Sequence, residues 1–108
     1  MMQDFKIATL GIFLLVSVLT VVPACGGPNG DADAGARWYS MYNCSACHGL
    51  NGNDGRAAPV AGLSMSFRSF LKVLRKPASA SMPPYPEEKV SREDAADIYT
   101  WLKSLKKG

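Results

Sequence analysis

The sequence predicts an all-α domain of three to four short helices, and three observations point to it. Apolar residues recur at helical spacing in three separate segments, around Trp38, around Phe70 and from Ala95 to Leu105. The stretches between them are rich in glycine, asparagine and proline, which read as loop. The cluster Cys44-Ser45-Ala46-Cys47-His48 follows the first segment, with no βαβ pattern around it.

The elements follow in order. Ile7 to Val22 is almost continuously apolar, with Lys6 before it and Pro23-Ala24-Cys25-Gly26-Gly27 after it, so residues 1–24 read as a signal peptide. Val22-Pro23-Ala24-Cys25 resembles a bacterial lipobox, which makes Cys25 the candidate lipid anchor. Cleavage after Ala24 without acylation, and an uncleaved anchor, stay open. Residues 25–32 carry glycine, proline, asparagine and aspartate with little to bury, and read as a tether. The functional domain is then 33–108. Asp33 can cap a first helix with Trp38, Met41 and Tyr42 on one face. Gly49 to Leu63 reads as loop. Ser66 to Arg75 reads as a helix bearing Phe67, Phe70, Leu71 and Leu74, ended by Pro77. Ser91 to Lys107 reads as the last helix, with Ser91 as N-cap, Glu93 and Asp94 in its first turn, a stripe of Ala95, Ile98, Leu102 and Leu105, and lysines at its end.

The chemistry lies in Cys44, Cys47 and His48. C-x-x-C-H places two thiols to add to the vinyl groups of one haem and an imidazole to reach its iron. A closed zinc site needs four nitrogen or sulfur ligands, and the sequence offers only Cys25 besides, with no second histidine. A domain of this size is marginal for a core of side chains alone, and a haem c supplies the large apolar body it lacks. For the opposite face of the iron the best candidate is Met82, held in Ser81-Met82-Pro83-Pro84-Tyr85-Pro86, where proline stiffens the chain. Met65 is the rival.

The chain resembles the class I c-type cytochromes over roughly Asp33 to Leu105. The resemblance is carried by Gly35, Trp38 and Tyr39, by Cys44-Ser45-Ala46-Cys47-His48-Gly49, by Pro59, by Met82-Pro83, and by Ile98-Tyr99-Thr100-Trp101-Leu102 near the end. It implies a cytochrome c-like fold around one covalent haem c, with His48 and Met82 as axial ligands. It also implies that Gly35 lets the first and last helices cross, and that Pro59 offers its carbonyl to the second imidazole nitrogen of His48.

Function follows from these readings as an expectation. A His-Met haem suits single-electron transfer between redox partners, which are a dehydrogenase, an oxidase or another cytochrome. The setting is the bacterial periplasm, with the protein held at the membrane through a lipid on Cys25, as a tethered carrier or as the haem subunit of an oxidoreductase. The net charge of +3 does not point to nucleic acid. Lys72, Arg75 and Lys76 form one basic cluster, and Lys103, Lys106 and Lys107 another, either of which could steer docking. Arg75 could instead reach a haem propionate. The alternative function is a haem enzyme or gas sensor in which Met82 is labile and the iron open to peroxide, nitric oxide or carbon monoxide. Against it, His48 is the single histidine, which leaves no distal imidazole to move protons.

Overall fold

The computed structural model describes residues 29–107. Among them the chain forms four helices and no strand: α1 Ala32–Met41, α2 Ser45–His48, α3 Phe67–Arg75 and α4 Arg92–Ser104. The expected signal peptide, residues 1–24, and Cys25 lie outside the described residues. No helix among those described is long and apolar enough to cross a membrane.

Helix α1 begins earlier than its sequence predicts. Asp31, not Asp33, is its N-cap, with a carboxylate that accepts from the Asp33 and Ala34 amides. Two of the four unpaired amides of the first turn are thereby satisfied, and Asp33 becomes a first-turn acid. The Asp31 amide in turn donates to Asp97 Oδ1 on α4 at 2.8 Å. Residues 31 and 32, expected in the tether, therefore already belong to the packed structure.

The buried face of α1 also differs from expectation. Met41 is largely exposed, while Tyr39 is 2% exposed and takes the central place. Ala34, Gly35 and Tyr39 are buried, and Trp38 and Tyr42 pack partly against the core. The reason is the crossing with α4: the helix turns Gly35 onto its partner, and residues three, four and seven positions on follow it. A Cβ on Gly35 would collide with the Asp97 carbonyl oxygen, so only glycine permits this approach. The contact is then sealed by Trp38 Nε1, which donates to Asp97 Oδ2 at 3.2 Å, and by the Tyr42 hydroxyl, which donates to Asp94 Oδ2 at 2.9 Å.

Helices α3 and α4 start where serine caps are expected. Ser66 accepts from the Ser69 amide and Ser91 from the Asp94 amide. Helix α4 ends at Ser104, short of the Lys107 expected; Leu105 is extended, and Lys103 is the one lysine in the last turn. Its buried face of Ala95, Ala96, Ile98, Tyr99 and Leu102 meets Phe67, Phe70 and Leu74 of α3 and Tyr39 of α1. Edge-on and tilted aromatic contacts of Tyr99 with Phe67 and Phe70, 5.3 and 5.4 Å between ring centroids, fix the α3–α4 seam. Tyr85 and Val90, from the segment between those helices, complete the core.

Candidate functional site

The turn that carries Cys44, Cys47 and His48 is bounded by two unusual backbone positions. Asn43 has φ 61°, a left-handed conformation that asparagine tolerates better than most residues. Gly49, at φ 92°, closes the turn in a conformation that favours glycine. Between them, the Cys47 and His48 amides both donate to the Cys44 carbonyl, at 3.3 and 3.0 Å. Cys44 and Cys47, three apart, share one side of the single turn of α2, with His48 one residue on.

The loop after His48 folds back onto the same turn. The Ala57 amide donates to the Cys47 carbonyl at 2.9 Å. His48 Nδ1 lies 2.8 Å from the Ala58 carbonyl oxygen. A carbonyl only accepts, so Nδ1 carries the proton and the Nε2 lone pair is left free. This corrects the expectation for Pro59: the carbonyl that orients the imidazole is that of the preceding residue. The proline bears on that carbonyl indirectly, because its ring disfavours the helical region for the residue before it. Pro59 itself lies along an open cleft with Ala61, Leu63, Ser64 and Met65.

On the other side of the turn, Tyr39 reaches across to the buried Gly49. Its hydroxyl donates to the Gly49 carbonyl at 2.7 Å, and its ring stands 4.9 Å from that of Trp101. The Tyr39 phenol is pushed up to about 12, first by burial and then by the nearby Cys44 and Asp54 charges. Burial likewise pushes the Cys44 thiol up to about 11. The Tyr85 phenol is raised by burial and then by the Cys44 and Cys47 charges. Both cysteines are free thiols.

Met82 is half-buried and packs against the same apolar core as Cys44. Met65 is 42% exposed, and its backbone carbonyl is occupied by the Tyr99 hydroxyl at 2.7 Å. Met82 is thus the more enclosed of the two methionines. Arg75 does not stand free for a propionate or a docking patch: one nitrogen donates to the Tyr85 and Val90 carbonyls, and the other pairs with Glu87 at 2.7 Å. The sequence reading assigned no role at the site to Tyr39, Ala58 or Tyr85, although Tyr39 stands among the residues that carry the family resemblance and Ala58 immediately precedes Pro59.

The residues present fit haem c. Two unpaired thiols stand on one turn, a neighbouring imidazole has one nitrogen anchored and the other free, and a half-buried thioether packs against the same core as Cys44. They do not fit a polypeptide metal cluster: among the described residues no group of three or more His, Cys, Asp or Glu side chains is arranged to hold an ion.

Comparison with known proteins agrees with that chemistry. The family described as "Cytochrome C oxidase, cbb3-type, subunit III" matches residues 30–102. The chain is 33% identical over 76 residues to "Cytochrome c-553-like" of Synechocystis sp., covering 70% of each chain. It is 31% identical over 107 residues to "Cytochrome c-555" of Methylococcus capsulatus, covering 95% of this chain and 86% of that one. No solved structure gives a significant match. Both the all-helical fold and these matches lead to one family: the chain belongs to the c-type cytochromes, as a small class I member that carries electrons.

Proposed function

We propose that this cytochrome holds one haem c through thioether bonds at Cys44 and Cys47, with His48 and Met82 as the axial ligands of its iron. The observation that carries the reading is the turn itself, where two free thiols and a His48 with Nδ1 already engaged by Ala58 stand together. When bound, the haem supplies a one-electron ferrous–ferric couple, and no substrate is transformed.

The polypeptide's part is positional. The Ala58 carbonyl fixes the tautomer of His48, leaves the Nε2 lone pair for the iron and raises its basicity as a ligand. Tyr39 ties the backbone just after His48 to α1, so the ligand cannot swing with its loop. The prolines that follow Met82 remove backbone donors and stiffen its approach. With His48 and Met82 both held toward it, a bound haem would be left no open position for a substrate, which suits a carrier and disfavours the open-site enzyme or sensor.

The setting we propose is the bacterial periplasm. Residues 1–24 direct export, Cys25 carries a lipid, and the short segment after it tethers the domain as a carrier or as the haem subunit of an oxidoreductase. The family's description as an oxidase subunit supports the second form, in which the redox partner sits at the same membrane.

The test is expression in a host with haem-attachment machinery. The wild-type chain should keep a haem-stained band on a denaturing gel, and Cys44→Ser combined with Cys47→Ser should lose it. The near-infrared absorption of a thioether-ligated ferric haem should vanish in Met82→Ala and survive in Met65→Ala. A high-spin spectrum in the wild-type protein would instead support the open-site reading. Metabolic labelling with a fatty acid, lost in Cys25→Ala, tests the anchor.

A further inference from the structure

We propose that Arg75 and Tyr85 are positioning residues for Met82, holding the thioether on the iron by tying down the chain that follows it. The inference rests on the reading of Met82 as axial ligand and goes beyond it, because it names what keeps that ligand in place.

The argument begins with a shortage of donors. In Met82-Pro83-Pro84-Tyr85-Pro86 three residues are proline, so between Pro83 and Pro86 only Tyr85 has an amide hydrogen. That one donor is committed, to the Leu74 carbonyl of α3 at 2.7 Å. The Tyr85 carbonyl accepts from Arg75 Nη1 at 2.9 Å, and the same nitrogen donates to the Val90 carbonyl at 2.7 Å. The Tyr85 hydroxyl donates to the Tyr42 carbonyl at 2.9 Å, two residues before Cys44. Tyr85 is thus fixed by amide and carbonyl to α3 and by its hydroxyl to the end of α1, just before the haem-attachment turn, while Arg75 ties its carbonyl to Val90 ahead of α4. Its ring is buried.

Upstream of Met82 the bonding is local. The Met82 amide donates to the Ser79 carbonyl at 3.3 Å, and the Ser81 amide donates to Ser79 Oγ. Those bonds shape the turn but do not attach it to the domain. The location of Met82 relative to His48 is therefore set from its C-terminal side, across the stiff Pro83-Pro84 link to Tyr85. Glu87 aligns the guanidinium from outside, with Oε1 on Arg75 and Oε2 accepting from the Arg92 amide at 3.3 Å. Its side chain is 64% exposed, so water screens that ion pair, and the two less exposed carbonyl contacts carry more of the effect.

If the clamp holds the thioether in place, loosening it raises the fraction of molecules in which the sixth position is open. That fraction is read by carbon monoxide, whose apparent affinity scales with the open population. The experiment titrates the ferrous holoprotein with carbon monoxide at neutral pH and records the ferric near-infrared band. Arg75→Met should raise apparent affinity by about tenfold and weaken the band, with Arg75→Lys and Tyr85→Phe intermediate. Met82→Ala, fully open, marks the upper limit. Asp31→Ala, which removes the N-cap at the end of α1 opposite Tyr42, should destabilise the fold without admitting more carbon monoxide. If Arg75→Met fails to accumulate, Arg75→Lys and Tyr85→Phe decide. Should Met82→Ala open the iron while neither Arg75 nor Tyr85 variants change binding, the clamp is overturned and the ligand assignment stands. If Asp31→Ala opens the iron as much as they do, the effect is general loosening and the clamp is again overturned. If Met82→Ala binds no more carbon monoxide than wild type, the ligand assignment fails and the clamp with it.

Discussion

Tyr39 shows how one side chain serves both the core and the site. It is nearly fully buried, yet its hydroxyl finds the Gly49 carbonyl, so both polar groups are satisfied. Tyr39→Phe keeps the ring and strands that carbonyl, and should cost about 1–3 kcal/mol in urea unfolding. The phenol also confers a pH dependence. Its folded-state value near 12 lies above the roughly 10 of an unfolded tyrosine, so the folded protein retains a proton that the unfolded chain has lost. Its contribution is complete below about pH 10 and is lost as pH rises toward about 12. Tyr39→Phe should flatten that part of the stability–pH curve; an unchanged slope would assign the alkaline loss to another group. Thioether formation at Cys44 removes the sulfur's share of the shift and leaves burial, the larger cause.

At the scale of elements, the α1–α4 crossing is the joint on which the site depends, because α1 leads directly into the attachment turn. Gly35→Ala sets two effects against each other. Alanine gains about 1 kcal/mol in helix propensity. Its methyl, however, meets the Asp97 backbone, which cannot rotate aside as a side chain could. The collision should win, with a net loss of about 1–3 kcal/mol and a shift of α1 that perturbs the haem spectrum. Asp31→Ala removes only the cap and should cost about 1 kcal/mol with the spectrum unchanged. Denaturant unfolding followed alongside the visible absorption separates the two. Serine caps and apolar stripes make α3 and α4 legible in the sequence itself. The first helix is harder, because Asp31 and Asp33 are equally good caps locally and the choice falls to the contact of the Asp31 amide with Asp97, 66 residues away.

For the whole molecule, size sets the role of the cofactor. A folded unit of some 80 residues buries only about 60–65% of the surface its unfolded chain exposes, and its stability is correspondingly small. On our reading of the attachment site, the Cys44→Ser, Cys47→Ser double variant should melt lower than the holoprotein by on the order of 10 °C or more, since each lost kcal/mol moves a domain of this size by several degrees. Equal melting temperatures would mean that the core closes without the haem. The aromatic seam of Phe67, Phe70 and Tyr99 supplies part of that core on its own. The double variant should therefore keep α3 and α4 in circular dichroism while losing the order of the segment between Cys44 and Ala58.

By itself the sequence determined the all-α class, the helices from Ser66 and Ser91, and the motif Cys44-Ser45-Ala46-Cys47-His48, because caps, helical periodicity and ligand spacing are local and are written within a few residues of one another. The tertiary structure alone decided that Ala58 rather than Pro59 orients His48, that Tyr39 rather than Met41 faces the core, and that Arg75 turns inward to Tyr85 and Val90. Each of those outcomes depends on where a carbonyl or a neighbouring helix lies after the chain has packed. A partner ten or more residues away leaves no periodic trace, and so its identity emerges only in three dimensions.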